Sequence, residues 1–133
     1  MERRNKIIIA ILIICLTILV ISFNTPLNKE TIPARFTLGE SSGFDLSPNE
    51  LSFGKIKVNQ SATRDITVEN KFETSVKISI RSSGEISKNI IVSENNFILN
   101  PQESKNIAFS IYTKGLTEFK EYIGEVEIIS KKA

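Results

Sequence analysis

From Ile7 to Phe23 the chain reads IIIAILIICLTILVISF, 17 residues without a charge and polar only at Thr17 and Ser22. Nothing else in the sequence restricts the fold so severely, because a helix apolar on every face must be surrounded by apolar material. In a chain of 133 residues the remainder is too small to enclose such a helix, whereas a bilayer does so directly. At 1.5 Å per residue the run spans about 25 Å, slightly under a hydrocarbon core of about 30 Å, so Lys6 and the flanking polar residues would reach to the interface. We expect a basic N-terminus over 1–6 and one transmembrane helix over 7–23, with lipid as the helix's partner.

The flanks separate the kinds of leader. A cleaved secretory signal needs small residues at its cleavage site, and ILVISFNTPLNK offers large ones. A lipid-modified cysteine needs a small residue before it and a full apolar region upstream, yet Ile14 precedes Cys15 and the cysteine comes early in the run. A retained anchor is left. Arg3, Arg4 and Lys6 crowd its N-terminal side, while the far side has Lys29 and Arg35 with Glu30 between them, so the amino end should stay cytoplasmic and the rest extracytoplasmic.

Of 17 basic and 15 acidic residues, Arg3, Arg4, Lys6 and Glu2 precede the run, which leaves 14 of each from Asn24 onward. A neutral, sign-mixed surface has no stripe to collect phosphates, so nucleic-acid binding is not expected. Histidine is absent and Cys15 is the only cysteine, which removes nucleophile–histidine chemistry, an intramolecular disulfide and any cysteine-based metal cluster. Glycines are six and scattered, without the spacing of a phosphate-cradling loop. Glu125 and Glu127 share a strand face, but alternate outward glutamates ordinarily form a solvated surface. No catalytic, cofactor-binding or metal-binding residues, no cofactor, no small-molecule substrate and no enzyme activity are expected.

Residues 24–43, NTPLNKETIPARFTLGESSG, carry Pro26, Pro33 and a Gly-Ser cluster and read as a linker, on the order of 25 Å long if a coil. The alternative is that Phe36 and Leu38 form an edge strand. Over 44–133 the pattern turns to period two. In TRDITVEN, Ile66 and Val68 oppose Asp65, Thr67 and Glu69; in SVKISIRS, Val76, Ile78 and Ile80 oppose Lys77, Ser79 and Arg81. KNIAFSIY turns Ile107, Phe109 and Ile111 inward, and YIGEVEIIS does so with Val126 and Ile128. Shorter runs lie at 44–46, 51–56, 90–92 and 97–99, and turn residues such as Ser47-Pro48-Asn49, Asn70-Lys71 and Asn100-Pro101-Gln102 separate them. Strands with one wet face need a second sheet, so the expected fold is all-β: an immunoglobulin-like antiparallel sandwich of about seven strands behind the helix.

The spacing Pro48-x-x-Leu51-x-Phe53-Gly54-x-x-x-Val58-x-x-Ser61 with Asn70, then Leu99-x-Pro101-x-x-Ser104-x-x-Ile107 and Tyr122-x-Gly124, resembles the ASH/major-sperm-protein/PapD-like group of immunoglobulin-like domains over residues 44–130. Each position has a constructional reason: Leu51 and Phe53 enter the core, Gly54 permits a bulge or close approach, and Asn70 bonds backbone where strand meets turn. The resemblance implies a scaffold, adhesion or assembly module in a bacterial or archaeal envelope, making protein contacts through sheet faces or edges. No binding residue carries over from it.

Two further features concern contacts. Asn59-Gln60-Ser61 is a sequon in an expected turn, which makes Asn59 a candidate N-glycosylation site. Leu116 and Phe119 lie in the charged segment KGLTEFKEYIGE and either contact a partner or cap the core. The functional reading is a single-pass, membrane-anchored envelope module that binds a protein. The alternatives are a subunit of a surface filament or archaellum- or pilus-type machine, and a small accessory subunit of a larger membrane complex.

Overall fold

The computed structural model describes residues 1–40, 43 and 50–133. Its first element is helix α1, Glu2–Asn24, longer than the apolar run by a turn at its N-terminal end. None of its residues is buried against the rest of the chain. Two hydroxyls bond back to helix carbonyls: that of Thr17 donates to Ile14 at 2.8 Å and that of Thr25, the C-cap, to Ile21 at 2.6 Å. By length and composition α1 can cross a membrane.

Eight strands follow among the described residues: β1 Asn28–Leu38, β2 Leu51–Ile56, β3 Ser61–Glu69, β4 Val76–Gly84, β5 Ile90–Val92, β6 Phe97–Leu99, β7 Ser104–Tyr112 and β8 Glu121–Lys132. A five-stranded sheet in the order β2-β1-β8-β4-β6 faces a three-stranded sheet in the order β3-β7-β5. This is the expected sandwich, and every alternating segment of the sequence is a strand. Val76, Ile78 and Ile80 of one sheet and Ile107, Phe109 and Ile111 of the other are buried, each contributing roughly 1.5–3 kcal/mol by leaving water. The run at 44–46, the turn at 47–49 and Pro48 of the motif lie outside the described residues.

The linker over 24–43 is corrected. Asn28–Leu38 is a full strand, paired along β8 from Asn28↔Ser130 to Thr37↔Glu121, so the sandwich starts at Asn28 rather than at 44. It is also not the edge strand of the alternative reading over its upper half, since β2 pairs alongside it from Ala34 to Leu38. Only Ala34, Phe36 and Leu38 are buried there, and Asn28–Thr31 are exposed. Pro33 is tolerated because pairing with β2 begins one residue later, so its missing N–H costs no ladder bond on that side.

One pair departs from the antiparallel rule: β1 and β2 run parallel, with Arg35↔Ser52 followed by Thr37↔Lys55. Two residues of β1 therefore span three of β2, a bulge centred on Phe53-Gly54, and Gly54 supplies it with φ 69°. A parallel pair cannot close through a tight hairpin, which is why a longer connection separates Leu38 from Leu51.

Candidate functional site

The ends of the sandwich are held by two buried polar side chains. At the end next to α1, Asn70 is 1 % exposed. Its Nδ2 lies 2.9, 3.1 and 3.0 Å from the carbonyls of Thr74, Leu99 and Asn100, and its Oδ1 accepts from the Phe72 amide at 2.9 Å. One side chain thus fixes its own turn and also reaches the turn after β6, some 30 residues on in sequence. At the far end Thr113 is fully buried; its hydroxyl sits 2.6 Å from the Lys57 carbonyl and accepts from the Gln60 amide at 3.0 Å. That bond holds the β2–β3 turn, in which exposed Asn59 takes the left-handed conformation at φ 58°.

Leu116 and Phe119 are not presented together. Leu116 packs against the core, whereas Phe119 is 56 % exposed. Of the two readings, contact or cap, the placement of Leu116 fits the cap; its amide donates to the Thr113 carbonyl at 3.1 Å in the turn that follows β7. Arg3, Arg4 and Lys6 lie in the first turns of α1, exposed. Glu127 is paired with Lys29 at 3.2 Å, and Glu125 stands apart from it at the site described next. Among the described residues no group of three or more histidine, cysteine or acidic side chains is placed to hold a metal ion.

A groove lies on the outer face of the five-stranded sheet, where β1, β8 and β4 meet. Gly124 pairs with Ala34 on one side and with Gly84 on the other. The strands approach so closely that a Cβ on Gly124 would lie 2.2 Å from the Ser83 carbonyl oxygen and 2.4 Å from Ile86 Cγ2. That Cβ would point to the core side; on the opposite, outer face the groove, of about 560 Å³, is walled by Pro33, Arg35 and Ser83 and contains Ile123, which is 56 % exposed. Beneath it, Tyr122 stacks on Phe36 with ring centroids 4.8 Å apart and 6° between planes, and the Tyr122 hydroxyl donates to the Glu118 carbonyl at 3.0 Å. The floor is therefore set from both faces of β8.

The rim is acidic. Glu50, Glu85 and Glu125 line the groove, and Glu121 adjoins it. Against them stand Arg35, paired with Glu50 at 3.0 Å and Glu121 at 3.3 Å, and Lys120, paired with Glu85. The hydrogen bond that the Lys120 ammonium donates to Glu85, together with that carboxylate's charge, raises the lysine above its ordinary value. Among the described residues four carboxylates to two cations leave an excess of negative charge around an apolar floor. Sequence reasoning missed this groove, although its signal was present: Ile123 falls in phase with Glu125 and Glu127 on the wet face of β8, beside a glycine.

A sandwich of two sheets with no disulfide and a structured outer face defines an immunoglobulin-like module. The chain belongs to the ASH family (Abnormal spindle-like microcephaly-assoc'd, ASPM-SPD-2-Hydin), whose model matches residues 40–118, more than half of its length. That places it among immunoglobulin-like protein-interaction modules, which are generally non-catalytic scaffolds. No curated protein and no solved structure matches it. The match stops short of β1 and β8, the two paired strands at the heart of the larger sheet, so most of the groove is built on strands outside it.

Proposed function

We propose that this protein is a single-pass, membrane-anchored module of a prokaryotic cell envelope, with its amino end cytoplasmic and its sandwich extracytoplasmic, that binds another protein through the groove at Gly84 and Gly124. The anchoring is supported by α1, whose side chains find no cover in the rest of the chain. Arg3, Arg4 and Lys6 at its start support the orientation. The protein-binding role is supported by family membership. The single observation that carries the binding surface is the apolar groove with its acidic rim. Charge complementarity selects its occupant: a protein segment that presents an apolar side chain flanked by lysine or arginine.

The test places a photo-crosslinking residue at Ile123 in full-length protein in native membranes, with the same residue at Asp65, exposed on β3, as control. The expected product is a crosslink from Ile123 to a basic-flanked apolar segment of one protein, lost in Glu85→Lys/Glu125→Lys. A crosslink pattern shared by the two positions, or one indifferent to charge reversal, would remove the groove from the account.

A further inference from the structure

The link between helix and sandwich is far shorter than residues 24–43 suggest. Helix α1 ends at Asn24 and β1 begins at Asn28, leaving Thr25, Pro26 and Leu27. Fully extended, three residues reach only about 10 Å. Nor can they swivel freely. The Thr25 amide and hydroxyl both donate to the Ile21 carbonyl, tying Thr25 to the helix, while the Leu27 amide donates to the Ser130 carbonyl at 2.7 Å, tying Leu27 to β8. Between them stands Pro26, whose ring fixes its φ.

The lengths then decide where the sandwich sits. With Glu2–Lys6 outside the hydrocarbon, the apolar run 7–23 spans about 25 Å at 1.5 Å per residue, slightly under a core of about 30 Å, which draws Asn24 down to the boundary. Asn24 therefore sits where the headgroups begin. A link of this reach does not lift a folded domain clear of a headgroup layer about 5–7 Å thick on each side.

We infer that the α1-side end of the sandwich is seated on the lipid headgroups, with Lys71 and Lys132 reaching their phosphates and Leu27 at the hydrocarbon boundary. This inference rests on the membrane anchoring proposed above. The end is built for such a contact: Asn70 bonds the β3–β4 turn to the turn after β6, so the surface is preformed. Lys71 and Lys132 are exposed on it, and Leu27 is 43 % exposed at the junction. Glu69, Glu73 and Glu103 at the same end offset the lysines, so the seat does not depend on anionic lipid. It is held by the tether rather than by net charge. The functional consequence is a fixed height for the groove. Gly124 lies six residues along β8 from Ser130, about 20 Å at 3.3–3.4 Å per residue, so the partner must present its segment no more than about 20 Å above the level of Ser130.

Full-length protein carrying Cys15→Ser and a single new thiol, at Lys71→Cys, Lys132→Cys or far-end Lys114→Cys, is labelled with a fluorophore. Each is reconstituted into phosphatidylcholine vesicles that contain a lipid with a quencher on its headgroup. Quenching several-fold stronger at positions 71 and 132 than at 114 is the expected result, unchanged by added phosphatidylglycerol or by salt. A flexible twelve-residue Gly-Ser insertion after Thr25 should bring all three to the level of 114. Equal quenching at the three sites in protein that floats with the vesicles would overturn the seat while leaving the anchor intact. Protein that fails to float would overturn both.

Discussion

Helix α1 and the sandwich meet the same requirement, that no backbone polar group go unpaired, in opposite ways. The helix closes its hydrogen bonds within itself and leaves its side chains uncovered, so its surroundings must supply the apolar contact. The sandwich pairs its backbone between strands and buries Phe36, Ile78, Ile107 and Phe109 inside, so its apolar contacts come from within. One chain therefore has a part whose stability is borrowed from its solvent and a part whose stability is its own. The two meet across Thr25–Leu27, a link too short to blur the division.

The contrast predicts that damage stays on its own side of that link, and the largest effect belongs to the helix. Leu12→Arg with Leu16→Arg places two charges mid-span at about 2.5–3.5 kcal/mol each on insertion scales. The variant should leave the membrane fraction entirely, while the thermal midpoint of its sandwich stays at the wild-type value. A sandwich that unfolds with it would break the comparison.

Gly124→Ala should do the reverse. Its new Cβ meets backbone of β4 and the Ile86 side chain, so strands β4 and β8 must part, at about 3 kcal/mol or more. Chemical denaturation would register this loss with membrane association intact. Asn70→Ala comes next at about 2–3 kcal/mol, because the buried carbonyl of Leu99 and the part-buried ones of Thr74 and Asn100 lose their donor. Asn70→Asp should cost nearly as much, since it keeps the acceptor toward Phe72 and discards the donors.

The smallest effect is electrostatic. The raised ammonium of Lys120 means that folding favours its protonated form, so the contribution is present below the ordinary value of 10.5 and fades as pH rises through the still higher folded value. The pair with Glu85 is exposed and screened by salt. Lys120→Met should therefore shift stability slightly at neutral pH, and the difference should close at strongly alkaline pH or in high salt.

Legibility in the sequence followed the same division. Core-facing apolar residues impose period two on their strands, so β3, β4, β7 and β8 could be read from Ile, Val and Phe spacing, and α1 from its unbroken apolar run. β1 escaped because its lower half, Asn28–Thr31, projects polar side chains from a stretch without β2 beside it, and Pro33 interrupts the pattern. Its inward residues, Ala34, Phe36 and Leu38, alternate over too short a run to outweigh that. Asn70 was legible as a turn former but not as a bond across some 30 residues, since its partners converge only once both sheets are assembled. The groove was hidden for a similar reason: Arg35, Ser83 and Ile123 come together through strand pairing, which composition does not record.

Cys15 offers the most direct test of the central claim, because the chain's only thiol lies midway along α1. Intact native membranes carrying wild-type or Lys114→Cys protein are treated with a membrane-impermeant maleimide, with and without detergent. Labelling at position 114 without detergent, and at Cys15 only after detergent, is the result expected of a lipid-embedded helix with an outward sandwich. Labelling of Cys15 at once, on protein recovered from the soluble fraction, would contradict the account.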